Sequence, residues 1–446
     1  MTELSIDFQY LRRIFLKTIQ KWSGIMKKIN RVMIANRGEI AIRIIRACNE
    51  LGLKTIAVYS EEDKMSLFRT KADESYLIGV NKRPVEAYLD IDGIISLALE
   101  KRIDAIHPGY GFLSESSEFA RRCGEVGIEF IGPSPDAMDK MGDKIKSKIV
   151  ARSVGVPVAG GLDKPISDFE EISAIADSIG YPVILKASAG GGGRGMRVVY
   201  NREEIETAFI SAQSQARMCF DNDDMFVEKY IEKPKHIEVQ VLGDKHGNLL
   251  HLYERDCSIQ RRHQKVIELT PAVSLSPEKR KAICDDAIKI AKAAGYSSAG
   301  TVEFLVDINE NHYFIEMNPR IQVEHTITEM ITGIDLVQCQ ILIAEGHALN
   351  SDEIGLYRQE DIKPRGYAIQ SRVTTEDPTN NFIPNTGTVD VYRSGSGFGI
   401  RLDGGNDYAG AIISPYYDNL FIKITAHGRT FKDAIRKSTR ALKELT

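Results

Sequence analysis

The sequence predicts a mixed α/β and α+β protein, and three observations carry that reading. From Arg31 to about Met138, β-branched runs alternate with helical stretches, the pattern of a doubly wound parallel sheet. From about Val158 to Tyr230, a separate strand–helix unit encloses four consecutive glycines. The remainder is strand-rich, with glycine turns, and closes on a helix.

The elements follow in order. "RVMIA" and "KTIAVYS" are strands separated by the helical "EIAIRIIRACNELG", and "DAIHPG" and "IEFIG" follow, each after a further helix. "GVPVAGG" reads as a linker. The second unit holds the strand "YPVILKA", the glycine loop, the strand "MRVVY", a helix near "EEIETAFISAQSQA" and the strand "DMFVEKYI". Strands "HIEVQVLG" and "NLLHLYE", a helix around Ala282 to Ala294 and a hairpin, "TVEFLVDINENHYFIEMN", come next. From Gly366 the chain is strand-rich again, ending on "FKDAIRKSTRALKEL".

Composition narrows the function. A chain of 446 residues, 43% of them apolar, supports a large core in two or three domains. A net charge of −4 leaves no electrostatic footprint for nucleic acid. Six scattered cysteines without a C-x-x-C pair argue for a reducing compartment and against a disulfide framework or a zinc site. No apolar run approaches the roughly 18 residues of a membrane span. The expectation is a cytoplasmic protein with neither nucleic acid nor membrane as partner. At the N-terminus, Phe8, Leu11, Phe15, Ile19 and Trp22 fall at helical spacing opposite Arg12, Arg13, Lys17 and Lys21. Residues 1–25 read as an extension before Met26, with a membrane-surface or targeting helix as the alternative.

Two motifs carry chemistry. In "KASAGGGGRGM", glycines let backbone N–H groups approach an anion closely. Lys186, on the apolar strand just upstream, needs an anion to offset its burial. Together they suggest a lid over a nucleotide, against the plainer reading of a surface loop. In the hairpin, a symmetric turn centred between Asn309 and Glu310 sets Glu303 directly opposite Glu316. Two carboxylates about 4 Å apart repel by about 4 kcal/mol at an effective dielectric near 20. A shared Mg²⁺ turns that repulsion into a binding site, and the alternative is a pair of solvent-facing glutamates. Downstream, "FIEMNPRIQVEH" places Glu316, Asn318, Arg320, Gln322 and Glu324 on alternate positions, one face of an extended chain.

These stretches, with "ANRGEIAIRIIRA", "HPGYGFLSE", "ERDCSIQRRHQK" and "TEDP", resemble the biotin carboxylase family of ATP-grasp enzymes from about Met26 to the end. Among its branches "RVTTEDPTNNFIPNTG" and "ISPYYDNLFIKITAH" look most like the one that serves pyruvate, with the acetyl-CoA and propionyl-CoA branches as alternatives and an inactive nucleotide-binding assembly module as the alternative of another class. The resemblance implies an N-terminal extension (1–25), a Rossmann-like domain (26–139), a linker and ATP-grasp lid (140–230), and an ATP-grasp core with a strand-rich C-terminal domain (231–446). It implies that ATP and bicarbonate form carboxyphosphate, which carboxylates biotin. The cofactors are ATP, Mg²⁺ or Mn²⁺, and biotin on a carrier domain, since no carrier motif of the "AMKM" type occurs here. It also implies a homodimer, and helices of the same domain beyond Thr446. Position by position, Lys144, Lys186 and His236 match the groups that reach ATP phosphates, and Gly192 and Gly193 the phosphate cover. Met196, Glu228, Lys229 and Ile231 match the adenine pocket, and Gln260 and His263 further nucleotide contacts. Glu303, Glu316 and Asn318 match the metal ligands. Lys265, Arg320, Gln322, Val323 and Glu324 match the bicarbonate site, with Glu324 as base and Arg372 stabilising charge on bicarbonate and on the biotin enolate.

Overall fold

A computed structural model describes residues 27–161, 166, 168–187, 196–220 and 225–446. The segment 1–25 and the glycine run with Gly192 and Gly193, both read above from sequence, lie outside the described residues. Strands β1 (Arg31–Ile34), β2 (Lys54–Tyr59), β3 (Glu74–Leu77), β4 (Ala105–His107) and β5 (Glu129–Phe130) form one parallel sheet in the order β3-β2-β1-β4-β5. Its middle strands are apolar on both faces because each face meets a different core. Val32 and Ile34 pack with Ile40 and Ile44 of the helix Gly38–Glu50. Met33, Ile56 and Val58 pack with Ile94, Ile95 and Phe119 from helices on the other side. Strand order reverses between β1 and β4, and the loops leaving those strands diverge there to open a crevice. Asn36 Nδ2 ties the two loops together, donating to Pro108 O (2.6 Å) and Tyr110 O (2.8 Å). The edge strand β3 is absent from the sequence reading, because "ESYL" is too short and polar to show a period.

The second unit is an antiparallel sheet of β6 (Val183–Ala187), β7 (Met196–Val199) and β8 (Met225–Lys229), ordered β7-β6-β8. Ile172 and Phe209 of its two helices pack on Val183, Leu185 and Val227.

The rest is one eight-stranded antiparallel sheet. Its strands are β9 (Lys235–Gly243), β10 (Leu249–Arg261), β11 (Gln264–Thr270), β12 (Ser298–Val306), β13 (His312–Asn318), β14 (Tyr367–Thr374), β18 (Ile400–Gly404) and β20 (Leu420–Gly428). They run β13-β12-β9-β10-β11-β14-β20-β18. Short ladders of β15 (Glu376–Asp377) with β16 (Ile383–Pro384), and of β17 (Gly387–Thr388) with β19 (Ile412–Ile413), sit beside it. Ile237, Val239, Val241, Val302 and Phe304 point to one face and pack against the helix Pro277–Ala293. Glu238, Gln240, Arg255, Thr301 and Glu303 are buried on the opposite side, where the helix His325–Thr332 covers the sheet.

Two sequence expectations change. The strand expected at "NLLHLYE" continues to Arg261, and Arg262 and His263, both at positive φ (51° and 64°), turn it straight back into β11. The expected linker "GVPVAGG" docks on the hairpin, with Phe314 N donating to Pro157 O (2.8 Å) and Val158 bridged to Phe314. Cys48, Cys123, Cys257, Cys284 and Cys339 are buried free thiols. Among the described residues no single helix is long and apolar enough to cross a membrane.

Candidate active site

Glu303 and Glu316 do face each other across β12 and β13, though not through a symmetric hairpin. Near the turn Phe304 pairs with Phe314 and Val306 with His312, one place short, and a bulge at Ile315 restores the Glu303–Glu316 pair. Glu303 Oε1 accepts from Lys265 Nζ (2.9 Å), Asn318 Nδ2 (2.8 Å) and Gln322 Nε2 (2.8 Å), and its Oε2 lies 2.7 Å from His236 Nε2. Burial disfavours the Glu303 charge, but Lys265 and His236 outweigh it and hold the carboxyl well below the usual range. Burial likewise disfavours a charged His236, and contact with Glu303 reverses the direction and raises it. Glu316 is pushed up, by burial first and by the Glu303 charge next. One carboxyl lowered and its partner raised make a pair short of positive charge, the electrostatic condition for a divalent cation. His236, Glu238 and Glu303 also bring ligand atoms within 4.8 Å of one another. Lys265 Nζ already serves that group as its cation, 2.5 Å from Glu238 Oε2.

Glu324 stands at the N-terminus of the helix His325–Thr332 and is buried. Lys265 Nζ donates to its Oε1 (2.8 Å) and Arg372 Nη2 to its Oε2 (2.9 Å). Against the penalty of burial, Lys265, Arg372 and Arg255 hold this carboxyl well below the ordinary range. Each cation is tied back by a second buried carboxylate. Glu238 holds Lys265, and Glu268 Oε1 accepts from Arg372 Nε (2.6 Å). Glu268 sits at about 7, raised by burial against the pull of Arg372. The Val323 carbonyl accepts from Lys423 Nζ (3.0 Å), whose other partner is Glu39 Oε1 (2.9 Å).

The extended face expected after Glu316 ends with β13 at Asn318. Gln322 and Glu324 turn inward, whereas Arg320 turns to the rim, donating to Glu115 Oε1 (2.5 Å) and to Asn318 Oδ1 (3.0 Å). Lys144 opens the helix Lys144–Ser153, exposed, with its charge acting on Glu316. The anion that Lys186 requires is Glu228 Oε2, at 2.6 Å, and Lys148 holds the other oxygen. Glu228 is consequently lowered to about 2 in spite of its burial. Met196 pairs with Lys186 across β6 and β7, and Ile231 is buried after β8. Lys229 Nζ donates to Gly180 O (2.8 Å) and Tyr181 O (2.9 Å), so its side chain serves the fold of its own three-stranded unit. Gln260 folds back onto Cys257 O (2.9 Å). His263 does not join Gln260. It lines a cavity of about 500 Å³ with Arg37, Tyr110, Lys265, Val323 and Arg372, between the crevice at β1 and β4 and the main sheet. Lys148, Glu238, Glu268, Arg255 and Lys423 are the site's residues that sequence reasoning did not single out.

A three-stranded antiparallel unit together with an eight-stranded antiparallel sheet bearing paired carboxylates is the ATP-grasp architecture, and the chain belongs to the biotin carboxylase family. Three family profiles match it in series: the biotin carboxylase N-terminal domain over residues 28–138, the carbamoyl-phosphate synthase L chain ATP binding domain over 143–352, and the biotin carboxylase C-terminal domain over 370–446. Pyruvate carboxylase of Bacillus subtilis (strain 168) is 58% identical over 94% of this chain and 36% of its own length. Human mitochondrial pyruvate carboxylase is 56% identical over 94% of this chain and 35% of its own. The chain thus spans about a third of these relatives. Among solved structures, the biotin carboxylase domain dimer of Hydrogenobacter thermophilus 2-oxoglutarate carboxylase, in complex with MgADP, ADP and bicarbonate, is 49% identical. It aligns over 94% of this chain and 90% of that one with a TM-score of 0.87. The biotin carboxylase β-γ-ATP complex from Campylobacter jejuni is 48% identical over 94% and 92%, also at 0.87.

Proposed function

We propose that the chain carboxylates biotin with bicarbonate at the expense of ATP, as the first half-reaction of a pyruvate carboxylase. The observation that carries this reading is Glu324, buried between Lys265 and Arg372 and one lysine away from Glu303. An anion entering beside Glu324 draws one of these cations away from it. The carboxyl is thereby freed to rise and accept a proton, while Lys265, Gln322 and the fixed Val323 backbone align the anion. The bicarbonate oxygen then bonds to the γ-phosphorus of ATP as the β–γ bridge breaks, giving carboxyphosphate and ADP. The carboxyl group passes to N1′ of biotin as its C–O bond to phosphate breaks, the departing phosphate takes the N1′ proton, and Arg372 faces the charge that this deprotonation puts on the ureido oxygen. Lys186, together with Lys144 and His236, meets the ATP phosphates, and Glu228 with the segment to Ile231 meets the adenine. The 500 Å³ cavity takes the biotin ring. Mg²⁺ or Mn²⁺ at Glu303, Glu316 and Asn318 supplies positive charge to the phosphates when bound. The biotinyl carrier domain, a homodimer and a cytoplasmic setting belong to the same proposal, and pyruvate as final acceptor rests on the curated relatives. The test is phosphate release from ATP with and without bicarbonate and free biotin. Release that ignores bicarbonate rejects the reading.

The metal assignment has its own check. Glu316→Gln keeps the shape of β13 but removes one anionic ligand. It is expected to raise the Mg²⁺ needed for half-maximal ATP cleavage by about tenfold or more, the scale on which ligand-shell losses act. An unchanged Mg²⁺ dependence shows that Glu316 is not a ligand.

A further inference from the structure

Beneath the bicarbonate loop lies a charged group whose field reaches Glu324 but whose hydrogen bonds the chemistry above does not use. Arg255, on β10, has no exposed surface. Its Nε donates to Glu238 Oε1 (2.5 Å) and its Nη1 to Gln240 Oε1 (2.7 Å) and Thr328 Oγ1 (3.1 Å). Its Nη2 donates to Thr301 Oγ1 (3.0 Å) and Gln322 Oε1 (2.8 Å). A guanidinium offers five N–H groups, and each has a partner here. This full pairing makes a buried charge tolerable. The same pairing makes it directional for its neighbours.

Gln322 is the neighbour that matters. A primary amide presents an acceptor at one end and two donors at the other, and nothing in its shape prevents a flip. Here Oε1 meets Arg255, and Nε2 donates to Glu303 Oε1 at 2.8 Å. A flip would set N–H against guanidinium N–H and carbonyl against carboxylate, replacing two hydrogen bonds with two repulsions. Arg255 therefore keeps the donor end of Gln322 on the side of Lys265 and Glu303, where an anionic substrate needs donors.

We propose that Arg255 is a positioning residue for bicarbonate. It acts through Gln322, without touching substrate, and the assignment rests on the biotin carboxylase reading above. Its second contact, to Glu238, steadies Lys265 on the same side of the site.

The experiment follows phosphate release by the 446-residue chain at saturating MgATP while bicarbonate is varied. Arg255→Met is expected to raise the KM for bicarbonate about tenfold or more, the scale of losing hydrogen bonds to a charged group. It should affect the KM for MgATP far less, a split that general loosening of the fold does not produce. Arg255→Lys should restore part of the loss, because an ammonium can still hold Glu238 or Gln322. In a Gln322→Ala background, Arg255→Lys should add less than about twofold, as expected for residues that act as one unit. Full additivity of those two substitutions overturns the proposal, as does an unchanged KM for bicarbonate in Arg255→Met. Should Arg255 variants fail to fold, Gln322→Glu decides. It keeps an acceptor for Arg255 but deletes the donor end, so saturation by bicarbonate should be lost. Normal saturation refutes the idea. Bicarbonate-independent release by the unaltered chain would reject the functional reading itself, a different result from any of these.

Discussion

Replacing Glu324 with glutamine is expected to abolish bicarbonate-dependent ATP cleavage. The substitution is nearly isosteric, and its carbonyl oxygen can still accept from Lys265 or Arg372, the two donors that hold Glu324 at 2.8 and 2.9 Å. What it cannot do is take a proton from bicarbonate. Bicarbonate attacks phosphorus effectively only as it loses that proton, so the lost step is general-base catalysis, about 10² to 10⁴ in rate. The glutamine also leaves Lys265 and Arg372 with less negative charge to neutralise, so both cations should remain available to bind anions. Bicarbonate affinity should accordingly survive while turnover falls. Phosphate release at saturating bicarbonate, with a thermal melt to confirm the fold, checks the result. Glu324→Gln turning over within about tenfold of the unaltered chain would remove Glu324 from the role of base.

Arg372→Gln should behave differently, because Arg372 serves two masters in sequence. In the structure its Nη2 is engaged with Glu324 and its Nε with Glu268. Formation of carboxyphosphate needs Glu324 as base, and Lys265 remains to orient it. Transfer to biotin develops negative charge on the ureido oxygen, and a preorganised guanidinium is worth most at that moment, about 10² to 10³ in rate. The variant should retain appreciable bicarbonate-dependent phosphate release while fixation of labelled bicarbonate onto free biotin collapses. ATP consumption and biotin carboxylation would uncouple. Equal loss of both activities in parallel assays would mean that Arg372 acts before the two steps diverge.

Legibility of the site followed the chain's own periodicities and failed where β-bulges intervene. The alternation of "TVEFLVDINENHYFIEMN" put Glu303 opposite Glu316, yet the real turn is one residue shorter and Ile315 bulges to compensate. The same reasoning applied to β9 and β10, around the turn from Asp244 to Asn248, would set Glu238 opposite Glu254. A bulge between His251 and Glu254 brings Arg255 there instead. A bulge leaves no periodic trace in a single sequence, so the Glu238–Arg255 pair was hidden. Glu238, Gln240 and Glu268 were hidden for a second reason. Polar residues at alternate strand positions read as a solvated face, and only the docking of the helix His325–Thr332 shows that this face is interior. The parallel sheet, by contrast, was plain in the sequence, because its middle strands are apolar on both faces and need no distant partner to be recognised. Lys186 was legible as a lysine in need of an anion; that Lys148 shares the same carboxylate depends on where the helix Lys144–Ser153 docks.

The eight-stranded sheet has a consequence for how this molecule can be divided. The family profiles part between residues 352 and 370, as though a nucleotide-binding unit ended before a C-terminal one began. The hydrogen bonding does not part there. β11 and β14 are paired in the middle of the sheet, with Glu268 opposite Gln370, and Arg372 caps the same carboxylate. Cutting at residue 352 would strip β11 of its neighbour and leave its backbone N–H and C=O groups as a raw edge, the kind that templates aggregation. Glu268, fully enclosed in the whole chain, would lose its guanidinium and amide partners at once. A fragment covering residues 27–352 is therefore expected to be insoluble or to self-associate, whereas residues 27–446 should be monodisperse, as light scattering of the two would show. A soluble, well-behaved 27–352 fragment would mean that the two profiles mark separable modules. If the fragment aggregates, this sheet can be inherited, duplicated or transplanted only whole.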